Sequence, residues 1–157
     1  MDEADRETRE RLFVEEMGVL FDQSGATRMA GRVFGRLLTC DPEHQSPAQL
    51  AAFLGASRGA ISMTLQQLVA AMLIERVAIP GQRSTFFRLR SGGWATILRA
   101  RMAGLTVMRE TALRGLQMLD GEPPARLRRL REFHDFYAYM ERRFPELIDE
   151  WLQQRPS

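Results

Sequence analysis

The side chains best suited to chemistry in this chain lie between Ser57 and Ser84. Arg58, Gly59, Ser62, Met63 and Gln66 recur at helical spacing, so they share one face near the start of a helix. All are small, apolar or hydrogen-bonding, and none is acidic. An Arg can pair bidentately with guanine and a Gln with adenine. Further on, Gln82, Arg83 and Ser84 follow Pro80 and Gly81, a turn signal that sets a guanidinium at a loop tip. Such a set recognises a charged backbone and the edges of bases; it does not make or break bonds. The plainer readings are a solvated face of an ordinary helix and a structural β-ribbon.

Other chemistries fail for want of residues. The two histidines, His44 and His134, stand beside a loop and on the last helix, with no nucleophile beside either in sequence. Cys40 is the single cysteine, so neither an intrachain disulfide nor a cysteine-cluster zinc site can form. Gly92-Gly93 reads as a helix entry without the later Lys of a phosphate loop. No enzyme activity, cofactor or metal is expected.

The elements that hold the reading residues are legible from Ser46 to Arg90. Ser46 is a good N-cap, and Pro47 sits at the first helical position, where its missing N–H costs nothing. Leu50, Ala51, Phe53 and Leu54 form the apolar face of that helix, and Gly55 permits a sharp turn. Ser57 caps the next helix, in which Ile61, Leu65, Leu68, Val69 and Met72 should face the core. Two β-rich runs, Ile74–Ile79 and Thr85–Leu89, flank the turn at 80–84. Helix, turn, helix and basic hairpin in this order form a winged helix-turn-helix, expected over 26–90, which can place one helix in the major groove. Charge agrees. Between Ser46 and Arg90 five Arg face the single Glu75, a net of +4, whereas residues 1–45 carry −4 and residues 91–157 carry +2.

The flanking segments read as helices that hold two copies together. Glu7–Phe21 shows Leu12, Phe13, Met17, Leu20 and Phe21 on one side and Glu10, Glu15 and Glu16 on the other. A helix from Ala26 to Thr39 buries Met29, Val33, Leu37 and Leu38 and displays Arg28, Arg32 and Arg36. Trp94–Leu119 carries a stripe of Leu98, Met102, Leu105, Met108, Ala112, Leu116 and Leu119. Asp120-Gly121-Glu122-Pro123-Pro124 breaks the chain. In the last helix, Ala125–Gln153, the residues Leu130, Phe133, Tyr137, Met140, Phe144, Leu147 and Trp151 alternate three and four apart, a heptad seam in which Pro145 should introduce a kink. The seam could pack on the chain's own first helix; the reading favoured is a homodimer joined by 7–22 and 94–153, with Leu12, Phe13, Phe144, Leu147 and Trp151 at the interface.

The chain of 157 residues, 45% hydrophobic and 27% charged, fits one mainly α chain with a proper core. No apolar run approaches membrane-spanning length and no signal peptide is apparent, so a cytoplasmic protein without membrane insertion is expected. All twenty-two basic residues are Arg, and Asn is absent as well. Both missing residues, Lys and Asn, use A-rich codons, which suggests a GC-rich bacterial genome.

Three long phrases carry a resemblance: FVEEMGVLFDQSGATRMAGRVFGRLLTCDP at 13–42, SPAQLAAFLGASRGAISMTLQQLV at 46–69 and PPARLRRLREFHDFYAYME at 123–141. Together they resemble the MarR family of dimeric bacterial repressors, in particular its GbsR-type branch and related efflux-transporter repressors. The resemblance implies a recognition helix at 57–70, a wing tip at 80–84, a palindromic double-stranded operator and control of a transporter operon. It departs from the family in Gln82, where an Asp often precedes the wing Arg. It also implies a small lipophilic effector, for which Met17, Phe21, Phe34, Phe86, Phe87, Met102 and Met108 could line a pocket, with Arg32 or Arg109 on a polar head. Ordinary core and surface ion pairs are the alternative for these residues. Cys40 lies outside the first-helix position at which some relatives sense peroxide, so a buried inert thiol is expected, with redox sensing as the alternative. Two further function classes stay open: a winged helix that recruits another protein, and an architectural DNA binder without sequence preference.

Overall fold

The computed structural model describes residues 3–154, in two compact units that divide between Gly93 and Trp94. The first holds α1 (Glu3–Gln23), α2 (Arg28–Thr39), α3 (Pro47–Leu54), α4 (Arg58–Ala70) and the strands β1 (Ile74–Ala78) and β2 (Thr85–Leu89). The second is built of α5 (Gly93–Met118) and α6 (Pro124–Gln154). Among the described residues no helix is long and apolar enough to cross a membrane. The mainly α winged helix-turn-helix expected from the sequence is present.

The core of the first unit grows from a close crossing of α1 and α2. Thr27, unremarked in the sequence, caps α2 by accepting a hydrogen bond from the Ala30 amide at 3.1 Å. Val33, Phe34 and Leu37 then meet Val14 in the buried core. The crossing depends on glycine. A Cβ on Gly31 would stand 2.3 Å from the Met17 carbonyl oxygen and 2.8 Å from the Gly18 Cα. The burial pattern of α1 differs from the expected single stripe: Val14 is buried, Phe13, Met17 and Phe21 are half-buried, and Leu12, Val19 and Leu20 are exposed. Helix α1 therefore has two apolar edges, one spent on α2 and one facing solvent.

Charge locks the same pair of helices and reaches α3. Glu15 accepts from Arg28 at 2.9 Å and from Arg32 at 2.7 Å, and Glu10 pairs with Arg36 and accepts from the Thr39 hydroxyl. Arg32 also donates to the Leu54 carbonyl at 2.9 Å, while Arg11 donates to the Phe53 carbonyl at 2.6 Å. The Phe53 ring has the Arg11 guanidinium 4.4 Å and the Arg36 guanidinium 4.1 Å from its centroid. The C-terminal end of α3 is thus held from both preceding helices.

The hairpin is short and in one register, with Ile74 opposite Leu89 and Arg76 opposite Phe87. The first strand ends one residue earlier than expected, at Ala78. Gln45 adds an antiparallel bridge to Phe87, each amide bonded to the other's carbonyl at 2.9 Å, which ties the loop before α3 to the base of the wing. Met72 departs from its expected core position. Helix α4 stops at Ala70, and Met72 takes a φ of +61° with its side chain 44% exposed.

In the second unit α5 and α6 pair antiparallel. Arg99 bonds Asp149 at 2.5 Å, the Thr106 hydroxyl donates to Glu141 at 2.6 Å, Arg109 also pairs with Glu141, and Gly115 leaves room for Leu130. Gly121, at φ +87°, turns the chain between them. The expected α6 seam is not the buried line. Leu127 and Ile148 are the buried residues of α6, while Phe133, Leu147 and Trp151 are exposed. The seam is split: Leu130, Tyr137 and Phe144 are half-buried, with Leu130 against Gly115 of α5, while Phe133, Leu147 and Trp151 are exposed. Pro145 leaves the Glu141 carbonyl without its i+4 donor, yet the helix continues to Gln154.

Two expected outcomes follow from the α1–α2 crossing. Gly31→Ala forces backbone apart and should cost roughly 1–3 kcal/mol, seen as a lower urea midpoint at unchanged slope; an unmoved midpoint would refute the tight crossing. Burial alone would raise the Glu15 carboxyl, but hydrogen bonds and charge from Arg28 and Arg32 outweigh it and hold Glu15 below the ordinary carboxylate value. A depressed folded value gives stability that is present at neutral pH and lost as pH falls through it. Glu15→Gln should therefore destabilise the protein at neutral pH, by an amount that shrinks as acid takes the pH below the ordinary carboxylate range, as read by urea titrations across that range.

Candidate nucleic-acid interface

The reading helix is placed by local devices that the sequence displays openly. Ser46 and Gln49 form a reciprocal capping box at the start of α3: the Ser46 hydroxyl accepts from the Gln49 amide at 3.2 Å, and the Gln49 side chain accepts from the Ser46 amide at 2.8 Å. Pro47 follows the cap. Gly55 takes a left-handed φ of +61° and bonds back to Ala51, ending α3. The Ser57 hydroxyl then accepts from the Ala60 amide at 3.2 Å, starting α4 within three residues of the end of α3. Ile61, Thr64, Leu65 and Leu68 are buried and fix the rotation of α4 about its axis.

That rotation turns Ser57, Arg58, Gly59, Ser62, Met63 and Gln66 outward, and all six are exposed. The face they make contains no carboxylate. The unpaired N–H groups at the start of α4 add a partial positive charge on the same side. At the hairpin tip Gln82, Arg83 and Ser84 are exposed as well, with Gly81 at φ +80° turning the loop and the Gln82 amide bonded to Ile79 at 3.1 Å.

The basic balance of this segment is sharper in space than in sequence. Glu75, its one acid, pairs with Arg88 across the hairpin at 2.7 Å. Among the described residues Arg58, Arg76, Arg83 and Arg90 have no carboxylate partner, and Arg90 instead donates to the Met72 sulfur at 3.2 Å. Within α2, α4 and the hairpin, the cations left for an external phosphate are therefore those of α4 and the hairpin. Those of α2 are engaged by α1.

The remaining candidates are distributed as follows. Phe34, Phe86 and Phe87 are buried in the first unit, where Phe34 meets the half-buried Phe21 at 5.4 Å between ring centroids and Phe86 meets His44 at 5.1 Å. Met17 lies against Gly35 of α2. Met102 is half-buried and Met108 exposed on α5. Arg32 and Arg109, considered for a ligand's polar head, are each bonded to a glutamate. Leu12 is exposed and Phe13 half-buried on α1. Phe144, Leu147 and Trp151 join Trp94, Ala95, Leu98 and Ile148 around an apolar cavity of ≈ 230 Å³ within the second unit. Cys40 is buried, and burial pushes its thiol up, away from the reactive thiolate. Arg11, which helps to position α3, was not singled out in sequence, and Phe53 was read only as part of the apolar face of α3. Their only signal was a basic residue on an acidic helix and an aromatic at a helix end.

Comparison with known proteins agrees with this geometry. A family model described as "MmpR5-like MarR family transcriptional regulator" matches residues 92–154, the α5–α6 segment. The chain is 43% identical over 142 residues to the HTH-type transcriptional regulator MmpR5 of Mycobacterium tuberculosis, covering 90% of this chain and 86% of that one. A crystal structure of a transcriptional regulator superposes with a TM-score of 0.66 at 42% identity, covering 93% of this chain and 99% of that chain. With the winged helix-turn-helix in the first unit and the family match in the second, the chain belongs to the MarR family of transcriptional regulators.

Proposed function

We propose that this protein is a homodimeric repressor that binds a palindromic operator, with α4 in the major groove and the hairpin tip on the adjacent backbone. The observation that carries this reading is the charge pattern: Arg58 and Arg83 stand without carboxylate partners on an exposed face that contains no acid. A surface that recruits a protein has no need of such one-sided charge. An architectural binder needs more of it.

Dimerisation is supported by where the exposed apolar side chains sit. Leu12, Val19 and Leu20 of α1, Trp94, Leu98 and Val107 of α5, and Phe133, Phe136, Leu147 and Trp151 of α6 are all large and exposed in a single chain. Covering such surface is worth roughly 1.5–3 kcal/mol per large side chain, and a two-fold dimer sets two reading heads about 34–36 Å apart for successive half-sites. A small lipophilic effector would release the operator by changing that spacing. The ≈ 230 Å³ apolar cavity offers it a place, because Phe144, Leu147 and Trp151 belong both to that cavity and to the proposed interface. Control of a transporter operon accords with the efflux-repressor likeness of the sequence.

Arg83→Ala should weaken binding to every duplex and lower the slope of log affinity against log salt by about two per dimer, one phosphate for each wing. Titrations at several salt concentrations measure it, and an unchanged slope would take the wing off the backbone. Phe144→Asp combined with Trp151→Ala should give monomers that keep the helical circular dichroism of the first unit and lose operator binding. Sedimentation at micromolar concentration reports the state directly. A wild-type chain that stays monomeric with and without DNA would overturn the repressor mechanism.

A further inference from the structure

Two residues of α4 are unexplained by the protein's own packing, and they are one helical turn apart. Gly59 lies inside the helix with no left-handed φ, and a Cβ there would meet nothing within 4 Å. Glycine weakens a helix relative to alanine, so neither conformation nor space within the protein calls for it. Gly31 differs in this respect, since there a Cβ would collide with backbone. Four residues on, Met63 is 60% exposed. A lone exposed apolar side chain is ordinary on a protein surface. This one coincides with the glycine, on the acid-free face, between Ser62 and Gln66.

Helical side chains lean toward the N-terminus and cover the turn before their own Cα. Met63 stands one turn on from Gly59, and at Gly59 neither a Cβ nor any other atom within 4 Å of its place fills the surface. The space left open at Gly59 is a shallow notch beside the exposed Met63, on the face that also carries Arg58, Ser62 and Gln66. The apolar feature that the major groove offers is the thymine methyl, and an unbranched, polarizable thioether adapts well to so small a group. Resting on the DNA-binding reading above, we propose that Gly59 and Met63 form a receptor for the 5-methyl group of one thymine in each half-site. They thereby add a specificity determinant to the hydrogen bonds of their neighbours.

The test uses the full-length chain. A duplex is enriched from a random pool by binding to the wild-type protein, and each thymine in its protected region is replaced singly by uracil, which keeps every hydrogen-bonding edge and lacks only the methyl. At one thymine per half-site the wild-type affinity should fall about fourfold, the ratio expected for burial of a single methyl. Met63→Ala should bind the thymine duplex more weakly and no longer distinguish thymine from uracil. Gly59→Ala should raise the melting temperature, as alanine suits the helix better, while weakening binding and erasing the same distinction. A flat uracil scan, or a uracil penalty undiminished in both variants, overturns the proposal. Arg58→Ala and Arg83→Ala on the same duplex separate the two levels. If they lose affinity while the scan is flat, the DNA-binding reading stands and the notch falls. If no duplex is enriched, both fall.

Discussion

The carbonyl end of α3 is where the first unit's charge and packing converge. Arg11 and Arg32 bond the last two carbonyls of that helix, and the Phe53 ring lies between the guanidinium groups of Arg11 and Arg36. A helix of eight residues has little stability of its own. Its terminal carbonyls lack intrahelical donors, and cations there oppose the negative end of the dipole. The clamp supplies donors and charge together, and it does so immediately before the Gly55 turn that aims α4. Glu15 and Glu7 hold Arg32 and Arg11 in turn, so the end of α3, from which α4 departs, is fixed by a chain of contacts that begins on α1.

This arrangement also sorts the arginines of α2, α4 and the hairpin into two populations. Those of α2 pair with Glu10 and Glu15 of α1. Those of α4 and the hairpin remain unpaired, apart from Arg88. Ion pairs on an exposed surface contribute little energy. Here their consequence is spatial, since pairing decides which cations are left to meet a polyanion.

Much of the first unit was legible in the sequence because its signals are local. Ser46, Pro47, Gly55 and Ser57 act within a few residues of themselves, and caps, turn and helix bounds from 46 to 70 match the structure closely. Charged stripes were legible too: Glu10 and Glu15 on one helix, Arg28, Arg32 and Arg36 on the next. Their mutual pairing was not, because it depends on the crossing that Gly31 permits, a contact made across a sequence gap. In α1 and α6 periodicity marks apolar stripes without telling which edge the chain itself buries. Both helices are apolar over more than one edge, so the strongest repeat need not be the edge buried within the chain. On α6 Leu127 and Ile148 are the most buried, and the stripe from Leu130 to Trp151 is divided between residues that meet α5, such as Leu130, and residues left exposed, such as Phe133. The bridge from Gln45 to Phe87 was invisible because a single backbone pair leaves no side-chain pattern.

The outward arginines have a consequence for regulation. The chain contains no lysine, so every fixed positive charge on α4 and the hairpin is a guanidinium, which keeps its proton at any cellular pH. Lysine acylation, a common way of weakening a protein's grip on an anionic polymer, has no substrate on this face. Its electrostatic attraction is constant across metabolic states that alter acetyl donors or acidity.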